Sequence, residues 1–244
     1  MTGFRSVFKR ELRAYFSTPI AYVFLVIFLF FSSFLTFQKG FFETRQASLY
    51  IFFTNMPLLF IFLAPALAMR LWAEERRTNS IEVLLTLPIT HTQAVLGKFF
   101  AAWAVIALAL ALTFPMALTV GYLGDPDWGP VATGYLASLL LAGTYLAIGS
   151  FFSGLTRNQV IAFVLSVVAC AVFLYAGSPN AMGYLSRLLP SGAVYAVESL
   201  SFRSRFESML RGVIELRDAA FFAILTAGWL WANTVVLKER TAAG

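Results

Sequence analysis

Six apolar runs decide what this chain can fold into. They lie at about 19–37, 49–71, 99–123, 131–152, 160–176 and 219–237, and the only charge inside them is Arg70, at the very end of the second. A helix crossing the roughly 30 Å hydrocarbon core needs about 20 mainly apolar residues. The run at 160–176 is short for this; the others meet or approach it. Membrane β-strands would instead show segments of about ten residues alternating in polarity. Continuous apolarity therefore predicts an all-α integral membrane protein with six transmembrane helices, forming a single transmembrane domain over residues 1–244. A soluble globule is excluded by composition: 59% of the 244 residues are hydrophobic, 26 are Phe and only 12% are charged. One core could not hide that much apolar surface. A disordered chain and a disulfide-stapled secreted domain are excluded with it.

The connections set the orientation. With the N-terminus in the cytoplasm, that side collects Arg5, Lys9, Arg10, Arg13, Arg70, Arg76, Arg77, Lys98, Arg157, Lys238 and Arg240. The opposite side has Lys39 and Arg45, a third-to-fourth loop carrying Asp125 and Asp127, and a last loop whose five arginines are nearly balanced by Glu198, Glu207, Glu215 and Asp218. Short loops weigh most in the positive-inside rule, so both termini are expected in the cytoplasm. The net charge of +6 then belongs to these flanks, and no nucleic acid is expected as a partner. No cleavable signal peptide is expected, because the first run is long enough to span and lacks a small-residue cleavage site after it.

Residues 3–16 have the pattern of an amphipathic helix. Phe4, Phe8, Leu12, Tyr15 and Phe16 form an apolar stripe, with Arg5, Lys9 and Arg13 beside it. Such a helix suits the membrane interface, its cations near anionic headgroups of the lipid bilayer; the plainer reading is a basic flank that enforces topology. Pro19 marks the turn into the first span. Residues 205–218 are also amphipathic, with Phe206, Met209, Leu210, Val213 and Ile214 at helical spacing and Glu207–Arg211 and Arg211–Glu215 as i,i+4 pairs. The whole segment 177–218 is read as short helices packed on the outer ends of the bundle. Within the spans, Asn55, Pro57, Pro65 and Pro115 mark places where a helix can kink or break, and Gly143, Gly149 and Gly154 with Ser150 and Ser153 permit close approach of a neighbour. Simple helix packing and a mobile gate both fit these residues.

Between the second and third spans lies a loop with structure of its own. Glu74, Glu75, Arg76 and Arg77 are followed by Asn79 and then Ser80, a helix N-cap; Ile81, Leu84, Leu85 and Leu87 are apolar, and Pro88 is a stop. A short helix with an apolar face outside the membrane needs a cover, and the economical one is a groove in a partner protein.

At this point a family resemblance becomes specific. Glu74-Glu75-Arg76, Asn79-Ser80-Ile81-Glu82-Val83-Leu84-Leu85-Thr86-Leu87-Pro88-Ile89 and Lys98 together resemble the signature of ABC-2 type transporter permeases. Where the commonest family form has Gly-Thr, this chain has Asn79-Ser80. The six-span layout, the N-terminal amphipathic helix and the last loop fit as well, so the resemblance covers essentially the whole chain. Residues 211–218 resemble the stretch before the last span in the gliding-motility GldF-type permeases, with the NosY-type permeases a related branch. The resemblance implies a membrane-spanning subunit of an ATP-driven transporter of the bacterial inner membrane, an exporter more than an importer. It implies a partner permease, as homodimer or heterodimer, and a separate cytoplasmic ABC ATPase that uses ATP and Mg. In that scheme residues 79–88 are the coupling helix. Ile81, Leu84 and Leu85 would be its docking face, with Glu74, Glu75, Glu82, Arg76 and Arg77 as flanking charges and Asn79, Ser80 and Pro88 as its ends.

What the sequence lacks agrees with a non-enzymatic subunit. No G-x-x-x-x-G-K-[ST] occurs, and Gly97-Lys98-Phe99 has neither the spacing nor the following hydroxyl. Cys170 and His91 are single, which excludes an internal disulfide and any Cys- or His-rich metal site, and no cofactor is expected in this chain. The nucleophile elbow G-x-S-x-G is missing, so Ser150 and Ser153 have no hydrolase context. The spans carry no acidic pairs of the kind proton-driven transporters use. The rival to a transporter is a non-transporting anchor that recruits a cytoplasmic ATPase through the same loop.

Overall fold

Prolines and the ends of the apolar runs set the helix boundaries. In the computed structural model the described residues are 2–43, 46–78, 89–188, 192 and 198–242, and among them all regular structure is helical. Helix α1 (Thr2–Ser17) and helix α2 (Pro19–Gln38) are separated by Thr18 alone, which is extended at φ −112°, ψ 145°. That conformation is what a following proline imposes, and Pro19 then sits at a first-turn position where its missing N–H costs nothing. Helix α3 (Tyr50–Ala68) runs straight through Pro57 and Pro65 and hands over at Met69 to helix α4 (Arg70–Arg77).

Helix α5 (His91–Ala111) starts eight residues before the apolar run that predicts it, because Thr90 and Gln93 form a reciprocal capping box at 3.2 and 3.3 Å. It stops at Ala111, and helix α6 (Phe114–Leu123) follows. The ring of Pro115 would clash with the carbonyl four residues back, at Ala111, so the break falls where that carbonyl is. Thr113 in the gap donates to the Leu110 carbonyl at 2.6 Å. Helix α7 (Trp128–Leu155) is capped by Asp127, and helix α8 (Gln159–Tyr175) by Asn158. Helices α9 (Pro179–Leu188) and α10 (Phe202–Met209) precede the last long helix, α11 (Leu216–Ala242).

Among the described residues, five segments are long and apolar enough to cross a membrane: Ala21–Gln38, Tyr50–Arg77, His91–Leu123, Trp128–Leu155 and Leu216–Glu239. The expected fifth crossing, α8, has only 17 residues, about 25 Å at 1.5 Å per residue. The helical periodicity read over 205–218 is corrected. Gly212 takes φ +87° and the chain turns at 210–212, so Arg211 is not helical and Val213 and Ile214 are exposed. The ion pairs there are Arg203–Glu207 at 2.8 Å and Arg205–Asp218 at 2.9 Å, the second tying α10 to the start of α11.

The bundle is assembled around α7, which packs against α3, α4, α5, α8, α10 and α11. Its small residues make this possible. A Cβ on Gly149 would lie 2.5 Å from the Ala68 Cβ, and one on Gly134 would lie 2.6 Å from the Phe53 ring. Between α7 and α11, Thr144 Oγ1 lies 3.0 Å from Thr226 Oγ1 and donates to the Phe222 carbonyl at 3.3 Å. Phe202 of α10 closes the far end, stacked on Phe173 at 5.0 Å. By contrast α2 and α8 turn Val26, Phe30, Phe34, Val164, Val168 and Val172 away from the chain. Such surfaces fit hydrocarbon and not water. Gly149→Val is expected to destabilise the protein by about 1–3 kcal/mol, the usual cost of overpacking a tight helix contact. A thermal melt in detergent checks it; a Tm equal to wild type would mean that α3 and α7 can separate at no cost.

Candidate functional site at the charged end of the bundle

The α3–α4 break would leave backbone groups unsatisfied, and α7 supplies their partners. The backbone N–H groups of Trp72 and Ala73 donate to Ser153 Oγ at 3.1 and 3.0 Å, and that hydroxyl donates to the Met69 carbonyl at 2.9 Å. These amides belong to the first turn of α4, where no intrahelical carbonyl is available. One turn earlier on α7, Ser150 Oγ accepts from Trp72 Nε1 at 3.2 Å and from Asn233 Nδ2 of α11 at 2.8 Å. Trp72, Ser150, Ser153 and Asn233 are all fully buried. Further along α4, Arg76 donates to the Gly154 carbonyl, and Gln159 of α8 donates to Glu74.

The opposite side of α4 is ionic. Helix α1 lies along the first half of α5 with Gly3, Val7, Glu11 and Tyr15 turned inward at four-residue spacing. A Cβ on Gly97 would lie 2.8 Å from Val7 Cγ1, and Tyr15 Oη donates to the Leu67 carbonyl at 3.1 Å. Lys98, 2% exposed, bonds Glu11 at 3.1 Å and Glu75 at 2.8 Å, and its ammonium lies 5.1 Å from the centre of the Trp72 ring. Arg10 bonds the same two carboxylates from the solvent side, at 2.6 and 3.2 Å. The four side chains close a ring with two charges of each sign. Burial pushes the Glu11 carboxyl up, but Lys98 and Arg10 outweigh it and hold the group below its ordinary value. A polar cavity of about 130 Å³ adjoins the ring, lined by Tyr15, Arg70, Leu71 and Glu74 besides the ring's own acids and lysine.

This geometry joins an N-terminal helix, a charged helix extension and three spanning helices just where the chain enters residues 79–88. A family model described as ABC-2 family transporter protein matches residues 7–236, nearly the whole chain. The chain belongs to the ABC-2 transporter family. It is thus a multi-pass membrane protein and the permease component of an ABC transporter, of a family that works with an ABC ATPase. None of the curated proteins compared with it matches.

For this permease, the residues singled out in the sequence separate into two groups. Glu74 and Glu75, expected as flanking charges for docking, have intramolecular partners: Glu74 holds Gln159 and Arg77, and Glu75 holds Lys98 and Arg10. Asn79, Ser80, Ile81, Glu82, Leu84, Leu85 and Pro88 lie outside the described residues. Of the stripe expected on α1, Tyr15 faces into the protein. Phe4, Phe8, Leu12 and Phe16 are only half-buried and flank the contact, Phe4 reaching Phe100 at 6.0 Å, while Val7 and Tyr15 are buried. Arg5, Lys9 and Arg13 are exposed.

Sequence reasoning missed Glu11, Trp72 and Asn233, and it counted Arg10 and Lys98 among the cytoplasmic flanking cations, Lys98 also in the family signature. The signals were present: Glu11 is the one acid in a basic helix, and the Thr90–Gln93 box begins α5 early enough to carry Lys98 inside.

The direction of the Glu11 shift fixes a pH dependence. A depressed carboxylate contributes its stabilisation above its unfolded value, about 4.3, and loses it as pH falls through the lower folded value. Docking of α1 should therefore weaken only below about pH 4. Hydrogen exchange of α1, corrected for the intrinsic pH dependence of exchange, checks this. Glu11→Gln should give raised exchange already at neutral pH, a loss of up to about 3 kcal/mol for breaking a buried pair, and no acid transition of its own.

Proposed function

We propose that this permease is an exporter subunit that couples through residues 79–88 to a separate cytoplasmic ABC ATPase and switches its spans between inward-open and outward-open arrangements. The observation that carries this reading is the anchoring of α4. Five of its residues, Trp72, Ala73, Glu74, Glu75 and Arg76, together with Met69 before it, are bonded to α1, α5, α7 and α8, and the chain enters 79–88 two residues after α4 ends. A push on that segment would reach every one of these helices.

In this reading α8 is the sixth crossing, its length met by thinning of the bilayer or by the polar residues at its ends. Both termini are cytoplasmic and the membrane is the bacterial inner membrane. Support comes from the basic residues of α1, the Arg76–Arg77 pair, Arg157 and Lys238 gathering at one end of the path. Helix α1 rides at the interface with Arg5, Lys9 and Arg13 toward headgroups. A second permease, identical or not, completes the pathway, and ATP and Mg are used by the ATPase alone. The resemblance of residues 211–218 to GldF-type permeases supports a role in a surface or gliding-type machine.

Docking rests on Ile81, Leu84 and Leu85, because apolar anchors at the centre of an interface carry more affinity than charges at its rim. The test is ATP hydrolysis by the cognate ATPase in lipid nanodiscs. Leu85→Asp or Ile81→Asp should release the ATPase and abolish stimulation with the permease still folded. Glu82→Ala should cost less, below about tenfold. Wild-type co-purification of the ATPase with Leu85→Asp would overturn the docking face. Co-purification with no stimulation even in wild type would favour a non-transporting anchor.

A further inference from the structure

Lys98 is an expensive residue to keep where it stands. An ammonium that is 2% exposed has lost its water, and such a group persists only if carboxylates replace that water. Here Glu11 and Glu75 both do so, at 3.1 and 2.8 Å, and Arg10 balances the second negative charge at the open side. The members come from three elements: Arg10 and Glu11 from α1, Glu75 from α4 and Lys98 from α5. Withdrawing α5 would strand the buried Lys98, withdrawing α4 would take Glu75 from both of its cations, and withdrawing α1 would strip Lys98 of one of its two carboxylates. The three therefore resist separation more than a packed apolar contact would.

The other side of α4 is built differently. Its partners on α7 and α8 are Ser150, Ser153, the Gly154 carbonyl and Gln159, none of them ionised, and Asn233 of α11 bonds Ser150 behind them. Hydroxyl, amide and carbonyl groups can change partners along a helix face, and the charges α4 itself brings to this side, Glu74 and Arg76, are only half-buried, so water can take over their bonds. The α5–α11 side also carries an apolar groove of about 450 Å³, walled by Phe99, Phe100, Trp103, Leu230 and Trp231.

We propose that Arg10, Glu11, Glu75 and Lys98 are positioning residues for energy coupling: the ring makes α1, α4 and α5 one rigid unit, and residues 79–88 drive that unit against α7, α8 and α11. This rests on the reading of 79–88 as the segment that receives the ATPase. It assigns α1 a part in the stroke, and it places the yielding seam on the neutral side of α4.

The test uses the full chain with its cognate ATPase in nanodiscs. Lys98→Met keeps the length of the side chain and removes its charge. It should leave the ATPase bound at wild-type level and reduce the permease-stimulated rate by about tenfold or more, with the KM for ATP unchanged, as expected for a lost coupling of this size. Lys98→Arg, which keeps a cation between the two carboxylates, should retain most of the wild-type rate. A merely structural role would make stimulation follow Tm; Gly134→Val, which overpacks α7 against Phe53 about four turns from Ser150, should be destabilised and yet keep its stimulation. Wild-type stimulation in Lys98→Met, or a Lys98→Arg variant no better than Lys98→Met, would overturn the proposal. If the wild-type chain itself fails to stimulate the ATPase, the driven-permease reading falls instead. Hydrogen exchange on the permease alone then decides the ring: Lys98→Met should loosen α1 and α4 together, and loosening of α5 alone would overturn it.

Discussion

Away from water, each broken helix and each charge must find its partner inside the protein, and the charged end of this bundle is organised by that requirement. The chain interrupts its second long helix at Met69, and the exposed amides and carbonyl are met by one hydroxyl, Ser153, from a neighbouring helix. It buries a lysine, and two carboxylates from separate helices meet that charge. Both solutions draw on residues distant in sequence. The position of α4 is therefore specified from outside itself: at eight residues it is too short to be a stable helix alone.

Helix α7 is the other half of the arrangement. Its 28 residues make it about 42 Å long, more than the roughly 30 Å hydrocarbon thickness. The excess carries Ser150, Ser153 and Gly154 to the level of α4. Without that extra length the break at Met69 would have no partner. With glycines along the same helix, the end of α3 comes close enough for the Ser153 hydroxyl to reach the Met69 carbonyl and the first amides of α4.

Much of the fold was legible in the sequence because apolar runs of spanning length admit few alternatives. Thr18–Pro19, the span positions and the break near Pro115 all follow from local sterics. The candidate site was harder to read, for reasons that particular residues make plain. Glu11 looks like an ordinary surface acid until α1 is rolled so that Gly3 and Val7 face α5. Lys98 looks like a loop cation until the cap at Thr90 is recognised as the start of the helix. Glu75 looks free because its two partners are 23 and 65 residues away. The helical periodicity read over 205–218 failed on one residue: Gly212 adopts a left-handed backbone and ends it.

Thr18 has a further consequence. One residue of connecting chain reaches no more than about 3.5 Å, so there is no slack between α1 and α2. Helix α2 has most of its apolar surface turned away from the rest of the chain, and few internal contacts oppose its rocking. A displacement of α1 would therefore be delivered to α2 as tilt, and tilt changes how well a hydrophobic length matches the lipid around it. Bilayer thickness would then act as a mechanical load on the N-terminal lever of the molecule, one set by the host membrane's lipids.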